Sequence, residues 1–229
     1  AGHGRAIRRI VMPEIVQNQA TLKLILDYER LFNNPDAMPD VTFKVGGETF
    51  YAHTLILNAR SDYFKAKLYH GTKKRKQEGA AYSIDTSEFE GVDPSTFAEV
   101  MRYIYCTRSK VTGENVLPML QLASKLRVVG LVDGIVDHLV KCFSNNWELR
   151  DFLDWTKIIF IYILACQHDL VKLKDTVFQY CCSELKEFRA FVITEEGAKL
   201  FEEYKSILDG LLSDTRSPQK ILEISINKK

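Results

Sequence analysis

Histidine, cysteine and paired charges are the side chains that could hold a metal, attack a substrate or move a proton, and their spacing here points away from all three. The five histidines, at positions 3, 53, 70, 138 and 168, include no His-x-x-x-His pair, and the five cysteines include no Cys-x-x-Cys. His138 and Cys142 stand one helical turn apart, but a zinc site needs two further ligands and none lies at a motif spacing. No glycine-rich phosphate loop, Gly-x-Ser-x-Gly elbow or Cys/His nucleophile signature occurs. His53 and Arg60 fall where a hairpin runs into a helix, and bonding to nearby backbone is the expected role there. The expectation is a non-enzyme with no catalytic residue, no metal and no cofactor.

Lys73, Lys74, Arg75 and Lys76 form a run of four cations inside Gly71 to Gly79, a stretch too polar and too glycine-flanked for a core element. An exposed loop is expected. It reads as plain solvated surface, as a candidate nuclear localisation run, or, least of the three, as a nucleic-acid patch, since no aromatic residues interleave with the cations to stack on bases.

The elements that must position these residues begin at Asp40. Val41, Phe43 and Val45 alternate with Thr42 and Lys44, the period of a strand with one buried face. Gly46-Gly47 supplies the positive-φ residues of a tight turn before Thr49, Phe50 and Tyr51 return, which predicts a hairpin. Leu55, Ile56, Leu57 and Ala59, then Tyr63 and Phe64 past Arg60-Ser61, suit a short buried helix running into a second one. Upstream, Ile15, Leu22, Ile25, Leu26, Leu31 and Phe32 lie at roughly helical spacing, and Asn33-Asn34-Pro35 stops that helix. Its apolar face either covers its own domain or packs against a second copy. Downstream, Asp93-Pro94 is a good helix start, with Phe97, Val100, Met101 and Ile104 following on one face. Thr112 with Asn115 marks another helix start, Gly130 is expected to end that helix, and Val132, Ile135, Val136, Leu139 and Phe143 form the next.

This order of residues resembles the BTB (POZ) domain, whose pattern opens Asp-Val-x-Phe-x-Val-x-Gly and continues through Phe-x-Ala-His to Ala-Arg-Ser-x-Tyr-Phe. Here it stands as Asp40-Val41, Phe43, Val45, Gly47, Phe50, Ala52-His53, Ala59-Arg60-Ser61 and Tyr63-Phe64. Farther along, Val92, Pro94, Phe97, Met101, Tyr103, Ile104 and Tyr105 match the family's Val-x-Pro-x-x-Phe to Tyr-Ile-Tyr segment, with Cys106-Thr107 where Thr-Gly is usual. Beyond a charged stretch from Trp147 to Trp155 three helical segments are expected, Ile158 to His168, Leu170 to Cys182 and Ala198 to Leu212. Residues 164–174 and Phe178 to Leu185 resemble the helix pairs of the BACK region that follows BTB in many adaptor proteins.

The fold class implied is α+β and mostly α: a BTB/POZ fold, a small sheet flanked by helices, followed by an all-α BACK-like helical region. Residues 1–14 read as an N-terminal tail, either an appended remnant or an exchanged strand built on Ile7, Ile10, Val11 and Met12. Residues 15–146 are the BTB/POZ domain with an N-terminal dimerisation helix, 147–212 the BACK-like region, and 213–229 a polar linker with a short apolar tail, Ile221, Leu222, Ile224 and Ile226.

Composition narrows the class further. Apolar residues at 46% and charged residues at 27% are ordinary for a globular chain with a real core. Thirty-one basic against thirty acidic residues leave no global field for nucleic acid or an anionic membrane. The longest apolar run, Ile158 to Cys166, is about half of the ~20 residues a membrane span requires. Ala1-Gly2-His3-Gly4-Arg5 offers no signal core, and an odd cysteine count with adjacent Cys181-Cys182 favours a reducing setting, cytoplasmic or nuclear or both.

The resemblance implies a homodimeric protein-interaction module, foremost a substrate adaptor of a cullin-RING ubiquitin ligase. Its partners would be itself, a cullin N-terminal domain and an unidentified protein substrate, with no nucleic acid and no membrane. Dimer candidates are Leu22, Ile25, Leu26, Leu31, Phe32, Leu55 and Tyr63; cullin-binding candidates are Phe64, Leu68, Tyr69, Thr72 and Tyr105. Two departures keep alternatives open. Cullin-binding members place a hydrophobic-x-Glu motif where Thr72-Lys73-Lys74 stands here, which favours a cullin-independent scaffold or oligomerisation protein. BTB transcription factors pair an Asp with a basic residue just after Ala-His in a corepressor pocket, and Asp40 is matched here by Thr54, which weakens the nuclear-regulator reading that the Lys73 to Lys76 run supports.

Overall fold

The computed structural model describes residues 19–75, 82–83, 86–145 and 153–216. The expectations for Ile15, for the first 14 residues, for Lys76, for Trp147 and for the apolar tail lie outside the described residues. The chain divides into two compact units, 1–135 and 136–229.

In the first unit, helix α1 (Gln19–Leu31) precedes a 3₁₀ turn at Pro35–Ala37 and a hairpin of β1 (Val41–Val45) and β2 (Glu48–Ala52). The strands pair antiparallel with Val41 opposite Ala52 and Phe43 opposite Phe50. Gly46 and Gly47 have φ of 56° and 86°, the two left-handed residues that a type I′ turn requires. Helix α2 (Thr54–Arg60) and helix α3 (Asp62–Arg75) follow, and β3 (Tyr82–Ser83) returns parallel to β1, giving the strand order β2-β1-β3. After a 3₁₀ turn at Thr86–Phe89 come α4 (Pro94–Cys106), α5 (Val116–Lys125) and α6 (Val129–Asn145), within which the division between the units falls.

The hairpin's inner face explains the core. Phe43 is fully buried, with ring centroids 5.6 Å from Phe64, 5.9 Å from Phe89 and 5.4 Å from Phe97, and Phe97 also meets Phe50 at 5.0 Å. The pairs are tilted or edge-on, the arrangements aromatic quadrupoles favour, and each buried ring contributes on the order of 1.5–3 kcal/mol. Asp93 caps α4, its Oδ2 accepting the Thr96 N–H at 2.9 Å, and these bonds with Ser95 and Thr96 hold its carboxyl below the usual carboxylate range. Ser61, buried between α2 and α3, donates to the Leu126 carbonyl at 2.5 Å and accepts the Phe64 N–H at 3.2 Å, so it starts one helix and ties it to the end of α5.

The second unit adds α7 (Trp155–Gln167), α8 (Val171–Ser183), α9 (Leu185–Val192), α10 (Glu195–Glu203) and α11 (Lys205–Arg216). Asp154 caps α7 through the Lys157 N–H at 2.8 Å, and Thr194 caps α10 through the Gly197 N–H at 3.0 Å. The Trp155 ring anchors the unit, with centroids 5.8 Å from Tyr180, 5.6 Å from Phe188 and 6.4 Å from Phe191.

Four expectations are corrected here. Gly71 to Arg75 continue α3 instead of opening a loop, because lysine and arginine are good helix formers and one interior glycine costs only ~1 kcal/mol. Gly130 is the second residue of α6, not a helix end; the preceding turn is made by Arg127 at φ 51°, and a Cβ on Gly130 would lie 2.8 Å from the Tyr103 hydroxyl. In α2 only Leu57 is buried, while Leu55 is exposed. Among the described residues after 155, the three expected helices are five, broken at Glu184, Ile193-Thr194 and Tyr204 by turns too short to leave a polar loop.

Candidate protein-interaction surface

Helix α1 lies along α4. The Glu29 carboxylate is 3.6 Å from Arg102 Nε, and the Phe32 ring is 5.4 Å from the Tyr105 ring. Arg102 is held in turn by Glu99, whose other oxygen accepts the Lys110 N–H at 2.7 Å. This fixes α1 with one edge turned outward, where Leu24 is 58% and Tyr28 40% exposed. Across from that edge, α2 presents Leu55 at 80% exposure. Between them runs a groove of about 330 Å³, walled by Leu24, Ile25 and Tyr28 on one side and by Leu55, Ile56 and Ala59 on the other, with Arg60 and the end of α4 closing it. Apolar surface of this kind costs free energy while wet, and here it is clustered in one groove.

The groove's geometry is set by α2, and two internal bonds hold that helix. The Asp40 carboxylate accepts the Thr54 N–H at 2.7 Å and the Thr54 hydroxyl, supplying from the strand edge the cap that His53 does not give. Arg60 Nε donates to the Ile104 carbonyl at 3.2 Å. His53 Nε2 is 2.7 Å from the Ala37 carbonyl. His53 and Arg60 thus bond to backbone. Asp40, half of the charged pocket expected in transcription-factor relatives, is spent on Thr54.

Of the dimer candidates, the structure brings Ile25 and Leu55 together in the groove. Leu26 is exposed outside it, Leu22 and Leu31 are half-buried on α1, and Phe32 turns inward to Tyr105. Tyr63 stands elsewhere: its hydroxyl donates to Glu88, which also pairs with Lys67. Leu24 and Tyr28 were missed, although they sit i, i+4 beside Ile25 and widen the apolar stripe by one row.

The cullin candidates fare differently. Phe64 and Leu68 are 0% exposed and Tyr105 only 5%, so these side chains are core and cannot meet a partner without opening the unit. Phe64 belongs to the aromatic cluster around Phe43, and Tyr105 packs on Phe32 and His53. Burial also pushes the Tyr105 phenol and the Cys106 thiol above their ordinary pKa values. Tyr69, Thr72, Lys73, Lys74 and Arg75 lie on the last turns of α3. In the second unit, Cys142 Sγ is 3.3 Å from His138 Nε2 on α6, and no group of three metal-ligating side chains exists among the described residues. No helix among them is long and apolar enough to cross a membrane.

A hairpin backed by a helical layer, with an N-terminal helix laid on α4, defines a class of protein-interaction domain, and the family profile agrees: the BTB/POZ domain matches residues 28–142, about half the chain, which therefore belongs to the BTB/POZ family. Among curated proteins it is similar to Kelch-like protein 40 of Xenopus tropicalis, 30% identical over 129 residues. That match covers 56% of this chain and 19% of the relative, so the chain spans less than a fifth of the relative's length.

Proposed function

We propose that the chain is a homodimeric, non-catalytic interaction module that serves as a substrate adaptor of a cullin-RING ubiquitin ligase. The observation that carries the dimer is the groove between α1 and α2, where Leu24, Tyr28 and Leu55 are exposed on a folded unit. A second copy offers the same apolar edge in return, as an isologous two-fold contact requires. The adaptor role is supported by the similarity to a Kelch-like protein and by the helical unit that follows the BTB domain. In this reading the BTB unit would take the cullin's N-terminal helices, the helical unit would hold the target, and the protein would work in the cytoplasm or nucleus.

A second reading rests on one observation. Thr72-Lys73-Lys74 occupies the place of the apolar-x-Glu anchor, and losing a desolvated anchor costs ~2 kcal/mol or more, at least tenfold in affinity. That favours a BTB scaffold that dimerises without a cullin. Calorimetric titration with the N-terminal domain of the cullin that serves BTB adaptors, with mass measured by light scattering on the same samples, separates the two. Sub-micromolar binding to a dimer supports the adaptor; a dimer with no binding up to about 100 μM leaves the scaffold. A monomer removes both.

A further inference from the structure

The second unit contains a cavity of about 360 Å³ whose lining joins two aromatic rings, Trp155 and Tyr180, to three carboxylates, Asp154, Glu184 and Glu187. Leu153 and Ile158 complete it, and no Lys, Arg or His lines it among the described residues. The rings are braced from behind: Trp155 packs on Phe188 and Phe191, and Tyr180 on Phe143, at 5.3 Å. They form a rigid wall, not side chains free to collapse into the space. Trp155 is half-buried, so part of its ring surface is open.

The charge balance favours a cation. Asp154 is engaged, its Oδ1 capping α7 and its Oδ2 lying 3.4 Å from Lys157 Nζ. Glu187 makes no hydrogen bond or ion pair among the described residues. The positive N-terminal ends of α7 and α9 and the negative C-terminal end of α8 all lie at the lining, so the helix ends add no pull on a cation and the attraction must come from side chains. What remains is the Glu187 carboxylate beside the half-exposed Trp155 ring. An aromatic face attracts a cation through its quadrupole, most strongly at tryptophan, and more so where water is partly excluded.

We propose that this cavity binds a basic side chain, an arginine or lysine presented by a segment of a partner protein, with Trp155, backed by the buried Tyr180, supplying the π-surface and Glu187 the carboxylate. Arginine fits better than lysine, because a planar guanidinium stacks on a ring while its N–H groups reach a carboxylate at the rim. The site stands whether or not a cullin binds the first unit, since all its lining residues belong to the second.

The test uses the full chain labelled with nitrogen-15 and N-acetyl-arginine amide as the probe, with N-acetyl-norleucine amide as the neutral control. The readout is the indole N–H resonance of Trp155, told apart from that of Trp147 by a Trp147→Phe variant. The arginine probe is expected to shift it saturably with a dissociation constant of millimolar order, while the norleucine probe does not shift it. Glu187→Gln, at an exposed position that leaves the fold intact by circular dichroism, weakens binding about fivefold, and Glu184→Gln with Glu187→Gln weakens it more than about tenfold. An absent shift up to about 50 mM, an equal shift from norleucine, or unchanged binding in the double variant would overturn the proposal.

Discussion

The hydroxyl of Tyr105 accepts the His53 backbone N–H at 2.8 Å and lies 2.9 Å from Nδ1 of the same residue. Because His53 Nε2 faces the Ala37 carbonyl, which can only accept, Nε2 carries the proton, Nδ1 is the acceptor, and Tyr105 donates to it. One phenol of α4 therefore joins the 3₁₀ turn, the end of β2 and the start of α2. Tyr105→Phe keeps the ring against Phe32 and leaves the half-buried His53 N–H unpaired, at a cost of ~1–3 kcal/mol. Urea denaturation should show a lower midpoint with an unchanged slope; an unchanged midpoint would mean that water replaces the hydroxyl at no cost.

Alkaline pH should weaken the fold in two stages. Burial raises both the Cys181 thiol and the Tyr105 phenol above their ordinary pKa values. In such a window the unfolded chain releases its proton while the native chain retains it, so the native state binds more protons and stability falls as pH rises. Stability is flat with respect to these groups below pH ~8.5, drops first through the cysteine and then, above ~10, through the tyrosine. Cys106 and Cys166 share the first window and Tyr103 the second, so Cys181→Ala should make the first descent shallower and Tyr105→Phe the second, read as denaturation midpoints from pH 7 to 11. Superimposable profiles for wild type and Cys181→Ala would sink the assignment of the first.

The two turn glycines should differ. Gly46 combines φ 56° with a close approach, since a Cβ there would lie 2.6 Å from Pro94 Cγ and 2.9 Å from Cδ at the first turn of α4. Gly47 has φ 86° but nothing within 4 Å. Gly47→Ala bears only the left-handed strain, ~1 kcal/mol, whereas Gly46→Ala must also push the hairpin off α4, for a total of ~2–3 kcal/mol. Equal losses of thermal stability in the two variants would show that the Pro94 ring yields freely.

How much of this was readable beforehand follows from the length scale of each signal. The hairpin was legible because alternation from Val41 to Val45 and two adjacent glycines are both local. The start of α4 was legible because Asp93 and Pro94 act within one turn. The pairing of β3 with β1 is two residues long and parallel, too short to leave a pattern. The breaks at Glu184 and Tyr204 use neither glycine nor proline, so three helices are read where the described residues hold five. At the candidate surface, Phe64 and Leu55 have the same apolar character in sequence; only packing sends one into the aromatic cluster and leaves the other 80% exposed.

That exposure makes Leu55 the cleanest probe of dimerisation. Leu55→Lys removes few internal contacts, so monomer stability should stay within about 0.5 kcal/mol. Under the dimer reading the charge enters a desolvated seam, and the dissociation constant should rise about 30-fold or more, ~2 kcal/mol. Ile193→Lys, a substitution at an equally exposed position on the turn between α9 and α10, serves as control and should leave the dimer intact. Sedimentation equilibrium reads both. A dimer indifferent to Leu55→Lys would move its interface away from the groove.

The strongest test of the adaptor reading adds affinity instead of removing it. Thr72 and Lys74 lie on the last turns of α3, where methionine and glutamate are good helix formers, so Thr72→Met with Lys74→Glu should fold without strain. The pair restores the apolar-x-Glu pattern that cullin-binding relatives use and reverses one positive charge. If the BTB unit otherwise has a cullin-competent face, affinity for the cullin N-terminal domain should increase at least about tenfold, with Lys74→Glu alone giving a smaller, salt-sensitive part. The apolar part should persist at high salt, since it comes from a desolvated side chain. Calorimetry at two ionic strengths resolves the contributions. No gain in the double variant, with the dimer intact, would mean that the missing anchor is not what separates this chain from cullin binders, and the scaffold reading would then take precedence.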